Sequence, residues 1–258
     1  ASVAASAFQK LGGSAGLITV VGDPSDVTDF IASNIAERQL PYVDLIRVPG
    51  TDSPFSTIQV EASGKRCITH FGGCIRQLTL DMLDKNVLAD AKMIHLGGLE
   101  EHFCGELAAY CKRNTGALVS VDGGNLSREA TDRMLPYVDV FIPDDKTVAK
   151  VLGCSPEDAC LYYAERGVRI SCVTMGDKGS VAYAGGTFHY AEPVRVSVVD
   201  TTGAGDNFHG AFLYCLAQRW NLDYTLRFCN AFSGLTCQGL GGLAAEPTLE
   251  ETLRKMEE

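Results

Sequence analysis

The sequence predicts a three-layer α/β/α fold with a central, mostly parallel sheet and a small β lid. The first observation is that short apolar runs of strand length alternate with amphipathic helical segments along most of the chain. This alternation is typical of a parallel sheet with helices on both faces. The second observation is a hairpin pattern at 57–70, which interrupts the alternation and indicates a small sheet that stands off the main domain.

Each strand is predicted from an apolar run of strand length that ends in small or polar residues. These runs lie at 16–21, 43–48, 92–96, 117–121, 138–142 and 170–175. The hairpin of the lid pairs 57–61 with 66–70 around a turn at Ser63 and Gly64, and a second hairpin covers 181–190.

Each helix is predicted from apolar residues that recur every three or four positions. The helical segments cover 1–11, 101–112, 127–135 and 156–166, and others begin near 25, 146, 206, 224 and 248. We expect one domain over residues 1–258, with a lid contributed by about 43–70. The first helix starts at Ala1 without a capping residue, which indicates that upstream sequence is missing and that the lid includes part of it.

Composition and charge argue against several classes of protein. The formal net charge is −10 and the chain has no run of basic residues, which disfavours a nucleic-acid partner. No apolar stretch approaches the roughly 18 residues of a membrane helix. The ten cysteines form no CxxC pair, and the five histidines lack metal-ligand spacing. These thiols fit a reducing cytoplasm better than a disulfide framework.

The segment 194–212 organises the rest of the chain. Alternating valines at 194–198 predict a strand, and the turn that follows is built from Gly203, Ala204 and Gly205. Asp206 then opens an amphipathic helix, whose first N–H groups lack helical partners and carry partial positive charge. Small residues let a phosphate approach such N–H groups closely, and Asp206 beside it is a candidate base. Taken alone, the same residues are more often an ordinary helix cap.

Small and acidic residues recur where the predicted parallel strands end. Ligands of such sheets bind beyond the carboxyl ends of the strands. The residues at these ends are Gly97 and Gly98, 122–124, Asp144 and Asp145, Gly176, and 203–206. The sequence therefore predicts a ligand site along this edge.

Three segments carry a resemblance to a known family. The segment 200–211, DTTGAGDNFHGA, is similar to the C-terminal signature of the ribokinase-like (PfkB) family of sugar kinases. The segment 173–179, VTMGDKG, resembles the VTxGxxG nucleotide-binding motif of that family, and 227–231 agrees as a third segment. Because the resemblance covers nearly the whole chain in the family's order, it favours a function for these residues over the cap interpretation.

The resemblance implies a role for each matched residue. Asp206 would be the base that takes a proton from the sugar hydroxyl, and the backbone of Gly203, Ala204 and Gly205 would hold the γ-phosphoryl oxygens. ATP would be bound by Asp144, Thr174, Gly176, Gly179 and, on the adenine side, Asn230. Asp200 and Thr202, with the loop around Gly239 and Gly241, would hold a monovalent cation, for which K⁺ is the candidate. The implied cofactors are therefore ATP, Mg²⁺ and K⁺.

The chain departs from the family's pattern in two regions. The family has Asn-x-x-Glu after the strand that ends near Pro143, whereas this chain has Asp144, Asp145, Lys146 and Thr147. The Glu that arranges Mg²⁺ water is thus replaced by Thr147, and either aspartate could substitute because Mg²⁺ prefers carboxylates and water. The sugar-binding Gly-Gly and Asn near the N-terminus are absent or altered, so the sugar is not identified.

The leading hypothesis is an ATP-dependent sugar kinase. It would phosphorylate a hydroxyl group, taken to be a primary one, of a small sugar or sugar acid. A nucleoside kinase or a sugar-phosphate kinase of the same fold stays open, as does a homologue that binds nucleotide or sugar without transfer, for which Thr147 is the best support. We expect a cytoplasmic protein that binds neither nucleic acid nor membrane, and a homodimer formed through the lid, since an exposed small sheet is costly in water.

Overall fold

The chain forms two compact units in a computed structural model that describes residues 1–60, 66–124 and 126–257. Ser14–Leu83, with Ser2, make one unit. The other unit, which we call the sheet unit, consists of Ala1, Val3–Gly13 and the chain from Asp84 onward.

The described residues contain these strands and helices. The strands are β1 (Gly16–Val21), β2 (Tyr42–Arg47), β3 (Phe55–Val60), β4 (Arg66–Phe71), β5 (Met93–Leu96), β6 (Leu118–Asp122), β7 (Val140–Ile142), β8 (Ile170–Thr174), β9 (Ser180–Ala184) and β10 (Thr187–Ala191). The α-helices are α1 (Ser2–Lys10), α2 (Asp26–Ala36), α3 (Lys85–Asp90), α4 (Glu101–Asn114), α5 (Arg128–Met134), α6 (Asp145–Val151), α7 (Pro156–Ala164), α8 (Ala204–Ala217), α9 (Leu222–Thr236) and α10 (Leu249–Glu257).

The sheet unit is built on one six-stranded sheet. Its strand order is β10-β9-β8-β7-β6-β5. Neighbours from β5 to β8 are parallel, whereas β9 and β10 are antiparallel to their neighbours. The carboxyl ends of β5 to β8 therefore lie at one edge, where the sequence places small and acidic residues.

Helices cover both faces of this sheet, because alternate residues of a strand point to opposite sides. Val140 and Ile142 of β7 are buried in a core shared with α8 and α9. Phe141 lies between them in sequence and packs edge to face against Tyr163 of α7, with ring centroids 4.7 Å apart. The predicted three-layer α/β/α fold is confirmed.

The smaller unit contains two separate two-stranded sheets. β1 and β2 are parallel, and β3 and β4 are antiparallel. α2 begins where predicted, since the side chain of Ser25 accepts a hydrogen bond from the Thr28 N–H. The pairing of β3 with β4 matches the predicted hairpin, but its predicted turn at Ser63 and Gly64 lies outside the described residues.

The prediction of a strand at 194–198 was wrong. These residues are irregular in the structure, and they run along α9 instead of pairing with a strand. A Cβ added to Gly234 of α9 would lie 2.5 Å from Val194 Cγ2, so Val194 packs against the helix at a position without a side chain. Val194 and Val196 are partly buried and Val198 is 60% exposed, but a strand also needs a hydrogen-bonding neighbour, which this segment lacks.

The described helices give no candidate for a membrane span, because none combines sufficient length with sufficient apolar character.

Candidate active site

A left-handed glycine sets the start of α8. Gly203 is the N-cap residue, with φ of 76° and ψ of 0°. A Cβ on Gly203 would lie 2.6 Å from the Cα of Gly242, which no real structure tolerates without a shift of backbone. Glycine is required here both for the positive φ and for this close approach.

The first turn of α8 has unused hydrogen-bond donors. The Ala204 N–H donates to Thr201 O at 3.3 Å, and the glycine N-cap offers no side chain as an acceptor. Among the described residues, no acceptor takes the N–H of Gly205 or of Asp206. Since the 14-residue helix adds its dipole, this turn is a ready site for an anion.

Asp206 stands in this first turn with its carboxylate accessible. Its side chain is 37% exposed, and Oδ1 lies 3.2 Å from the main-chain nitrogen of Ala1. An exposed carboxylate next to an anion site can accept a proton from a hydroxyl group and pass it to solvent.

Asp200 ties the turn before α8 to a second loop. Its Oδ1 accepts hydrogen bonds from the N–H and the hydroxyl of Thr202, at 2.9 and 2.8 Å. Its Oδ2 accepts from the Gly241 N–H at 2.9 Å. Asn207 connects the same two loops a second time. Its Nδ2 donates to Gly203 O at 3.0 Å and to Gly242 O at 2.6 Å.

The four residues predicted to hold a monovalent cation are only partly in contact. Asp200, Thr202 and Gly241 lie together through the hydrogen bonds above. Gly239 instead packs against Ala245, whose Cβ would be 2.6 Å from a Cβ on Gly239. No group of three or more His, Cys, Asp or Glu side chains suited to a metal occurs among the described residues. A cation here would therefore depend on Asp200 and main-chain carbonyls.

Asp144 and Thr174 meet at the carboxyl ends of neighbouring strands. They form a parallel bridge, and the Thr174 N–H donates to Pro143 O at 3.1 Å. Asp144 also caps α6, since its Oδ1 accepts from the Thr147 N–H at 2.7 Å. Asp144 Oδ1 is thus engaged in capping α6, and Thr147 takes part in this hydrogen bond through its main-chain N–H.

The two predicted nucleotide-binding glycines shape the turn after β8. Gly176 has φ of 58° and Gly179 has φ of 85°, both in the left-handed region. The Met175 N–H donates to Gly179 O at 2.8 Å, which closes the turn. A side chain on Gly179 would overlap Ala191 O, so this glycine is needed for the fold whatever it binds.

Asn230 is buried and its amide is fully engaged. Its Nδ2 donates to Ala191 O at 2.9 Å and to Glu192 O at 3.0 Å, and its Oδ1 accepts from the Ser180 hydroxyl at 3.1 Å. Both amide hydrogens are used, so the side chain holds α9 to β9 and to the end of β10. Any role towards adenine would be through this positioning.

A partly buried polar cluster beside this site was missed by the sequence analysis. His95 of β5 and Ser120 of β6 are register partners, and Asp122 lies two residues beyond Ser120, so the three share a face of the sheet. His95 Nδ1 lies 3.2 Å from Ser120 Oγ. His209 of α8 places its Nε2 3.6 Å from Asp122 Oδ1, and its ring centroid lies 5.0 Å from that of His95.

Burial and neighbouring charges fix the protonation of this cluster. Burial lowers the pKa of His95 well below its usual value, and His209 lowers it further, against Asp122. Burial of Asp122 opposes its ionisation, but His209, the Gly124 N–H and His95 outweigh it and hold the pKa of the carboxyl below its usual range. At neutral pH His95 is therefore an uncharged imidazole and Asp122 a carboxylate.

Comparisons with known proteins place the chain in a family. A family described as pfkB family carbohydrate kinase matches residues 3–249. A ribokinase of Staphylococcus aureus is 25% identical over 243 residues, which cover 91% of this chain and 79% of that protein.

Solved structures share the fold at low sequence identity. A ribokinase of Thermotoga maritima superposes with a TM-score of 0.85 at 23% identity, covering 100% of this chain and 86% of its own. An E. coli protein described as a ribokinase II, in complex with ATP and Mg²⁺, gives a TM-score of 0.84 at 22% identity and covers 99% and 87%. At these identities the likeness establishes the fold alone.

Proposed function

Because the chain belongs to the pfkB family of carbohydrate kinases, phosphotransferases with an alcohol group as acceptor, we propose that it transfers the γ-phosphoryl group of ATP to a hydroxyl group of a small sugar or sugar acid. We take that hydroxyl to be a primary one. The observation that carries the proposal is the accessible carboxylate of Asp206 in a helix turn whose Gly205 and Asp206 N–H groups have no acceptor among the described residues.

In the proposed reaction Asp206 accepts the proton of the attacking hydroxyl. The hydroxyl oxygen forms a bond to the γ-phosphorus as the bond from phosphorus to the β–γ bridging oxygen breaks, and ADP leaves with that electron pair. The N–H groups of Gly203, Ala204 and Gly205 hold the phosphoryl oxygens while their negative charge redistributes. The chain's part in catalysis is positioning and electrostatic stabilisation.

The nucleotide is proposed to lie along the carboxyl ends of β7 and β8. Thr174, Gly176 and Gly179 would line its phosphates and ribose, with Asn230 fixing the neighbouring main chain. Mg²⁺ would bind together with the nucleotide, coordinated by its phosphates and by several waters, because this ion needs only one or two carboxylates from a protein. Asp144 and Asp145 are the carboxylates proposed for it, because they lie just after β7, separated from it only by Pro143.

A monovalent cation is proposed behind the anion site. Asp200 would supply its charge, and the main chain of Thr202, Gly239 and Gly241 its remaining oxygens. The Asp200 carboxylate already joins the two loops through its hydrogen bonds to Thr202 and Gly241. K⁺ would then stabilise the loops that shape the first turn of α8.

We also propose a homodimer formed through the lid hairpin, in the cytoplasm. Register pairs on β3 and β4 put Phe55 with Phe71 on one face and Ile58 with Ile68 on the other. All four side chains are exposed, at 38–54%. An isolated two-stranded sheet is marginally stable in water, so covering these pairs with a second copy would stabilise it. Light scattering that gives a monomer at working concentrations would exclude the dimer.

The test is ATP consumption by the full-length protein with Mg²⁺, against neutral sugars, sugar acids, sugar phosphates and nucleosides, with and without K⁺. We expect ADP formation that depends on a sugar or sugar acid and is lost in Asp206→Asn, by about 10²- to 10⁴-fold, because the base is removed. Binding of ATP to the variant should persist. Turnover of only nucleosides or sugar phosphates would replace the proposed acceptor with that class.

A second candidate function is a homologue that binds nucleotide or sugar without transfer. The observation that favours it is Thr147, which replaces the family's Glu and contributes its N–H to the cap by Asp144. ATP binding without turnover on any acceptor would support this alternative. Recovery of turnover in Thr147→Glu would then identify the missing group.

A further inference from the structure

Asn207 lies in the first turn of α8, and the proposed reaction assigns no part to it. It follows the proposed base, Asp206, and it is 0% exposed. Its main-chain N–H donates to Gly203 O at 2.9 Å, so its backbone simply continues the helix. Whatever Asn207 contributes beyond the helix therefore comes from its side-chain amide.

The amide nitrogen joins two segments that are distant in the chain. Nδ2 donates to the carbonyl oxygen of Gly203, the N-cap of α8, and to that of Gly242, which lies 35 residues beyond Asn207. These two bonds use both hydrogens of the NH₂ group. The opposite placement of the amide would bring Oδ1 against two carbonyl oxygens, so the neighbours fix its orientation. We call the bond from Nδ2 to Gly242 O the amide bridge.

The oxygen of the same amide has no comparable role. Oδ1 of Asn207 is buried and meets no hydrogen-bond donor among the residues that the structure describes. A buried acceptor without a donor lowers the stability of the fold. A serine here could donate to Gly203 O, four residues earlier, without burying an unpaired amide oxygen. What only the longer amide supplies is the amide bridge.

The amide bridge acts on the residue that sets the start of the proposed anion site. Gly203 precedes Gly205 and Asp206, whose N–H groups have no acceptor in the described part of the chain. The loop of Gly242 packs directly against this turn, since a Cβ on Gly242 would lie 2.9 Å from Gly203 Cα. Movement of that loop would tilt the N–H groups, and the strength of a hydrogen bond depends steeply on the direction of its donor.

We propose that Asn207 is a positioning residue for phosphoryl transfer, whose amide bridge keeps the N–H groups in the first turn of α8 aimed at the transferred group. Asn207 itself touches neither ATP nor the acceptor. The proposal rests on the proposed function, because it concerns the anion site of that reaction. Fixed donors matter most when charge redistributes in the transition state, so loss of the bridge slows transfer more than it weakens binding.

The experiment compares steady-state kinetics of Asn207→Ala, Asn207→Ser and Asn207→Asp with the wild type, using the acceptor identified in the panel. Asn207→Ala removes both bonds, whereas Asn207→Ser can keep the bond to Gly203 O and loses only the amide bridge. Asn207→Asp places carboxylate oxygens against two carbonyl oxygens. We expect kcat to fall about ten-fold in the first two variants and further in the third, with the KM values for ATP and acceptor within about two-fold.

Gly242→Ala tests the same contact from the other loop. Its Cβ would lie 2.9 Å from Gly203 Cα and 3.1 Å from Thr202 O, so the two loops must move apart. Because both changes open one contact, the double variant with Asn207→Ala should lose little more kcat than the slower single variant. Losses that multiply would show independent effects and would contradict the amide bridge.

Two controls distinguish positioning from a general loss of stability. Asn221→Ala removes the cap of α9, where Oδ1 accepts from the Tyr224 N–H at 2.9 Å, so it should lower the melting temperature without lowering kcat. Asn86→Ala, at an exposed position of α3, should change neither.

A transition-state mimic gives a readout that a purely structural role would not change. ADP with aluminium fluoride, measured with Mg²⁺ and the acceptor, mimics the phosphoryl group during transfer. Asn207→Ala should weaken its binding by about the factor lost in kcat, whereas binding of ADP alone should stay unchanged. Equal weakening of both ligands would overturn the inference.

The outcomes separate this inference from the proposed function. An active wild type whose kcat is unchanged in Asn207→Ala would overturn the inference alone, as would full kcat in Asn207→Ser, which would assign the effect to the bond with Gly203. A wild type that forms no ADP with any acceptor would overturn the proposed function and this inference with it. If Asn207→Ala fails to fold, Asn207→Ser and Gly242→Ala decide.

Discussion

The Gly241 N–H donates to Oδ2 of Asp200 at 2.9 Å, and this contact joins two loops that are 41 residues apart in the chain. The other oxygen of the same carboxylate holds Thr202, directly before the left-handed Gly203. The shape of the first turn of α8 therefore depends on a side chain outside that helix.

Asp200→Asn should loosen both loops, because an amide NH₂ cannot accept the hydrogen bonds that one carboxylate oxygen now accepts. We expect a loss of about 1–3 kcal/mol in the free energy of unfolding, reduced kcat and a weaker response to K⁺. Urea denaturation and K⁺ titration of activity measure these effects. Asp90→Asn, at the exposed end of α3, is the control. Wild-type stability in Asp200→Asn would contradict the role of this contact.

Gly203→Ala and Gly205→Ala should distinguish the contribution of this turn to stability from its contribution to catalysis. Alanine at Gly203 meets a positive φ and the Gly242 Cα, and strain of this kind costs about 1–3 kcal/mol. Alanine at Gly205 meets nothing within 4 Å and favours the helix by about 1 kcal/mol. We expect the first variant to be less stable, and the second to be stable but slower, because its methyl group obstructs the phosphoryl group. Thermal melts and kcat distinguish them; full activity in Gly205→Ala would argue against the proposed anion site.

Asn230→Ala tests whether this residue holds the fold or contacts the nucleotide directly. Removing the amide leaves the buried Ala191 carbonyl, the partly buried Glu192 carbonyl and the Ser180 hydroxyl without this partner, which we expect to cost about 1–3 kcal/mol of unfolding free energy. Urea denaturation should show this loss, with Gln218→Ala, at an exposed position, as the control. A raised ATP KM at unchanged stability would instead support a direct contact with adenine.

Thiol reactivity should report on the burial of the cysteines. Of the ten, Cys67 is exposed and Cys154 partly so, and the others are buried. Burial raises the pKa of Cys104 and of Cys160 to about 12, so their thiolates are scarce at pH 8. We expect one fast-reacting thiol in the native protein, lost in Cys67→Ser, and all ten in urea. Several fast thiols in the native Cys67→Ser variant would contradict the described packing.

Most of the fold could be predicted because its signals are local. Apolar runs such as 117–121 and the glycines around α8 each determine a short piece of backbone, and the order of the pieces indicates a parallel sheet. The segment 194–198 is the exception, since Val194 and Val196 lie against α9 instead of in a sheet. Whether a segment pairs as a strand depends on a partner that its own sequence does not contain.

The polar cluster was missed for a similar reason. His95, Asp122 and His209 are far apart in sequence, and although His209 lies in the segment 200–211, no role was assigned to it there. Asp122 was noticed at a strand end, and the alternation of Ser120 and Asp122 could have placed both on one face with the strand before them. Whether His209 of α8 meets them depends on packing of the helix, which periodicity alone does not determine.

The proposed anion site consists of main-chain N–H groups, and this has a consequence for mutational tolerance. No substitution can delete an N–H group there except one to proline. In a saturation library, inactivating changes should therefore concentrate at the positions that fix the backbone, such as Gly203 and Asp200. Enzymes with altered acceptors could then arise in this chain by changes elsewhere, while the phosphate-binding turn stays constant.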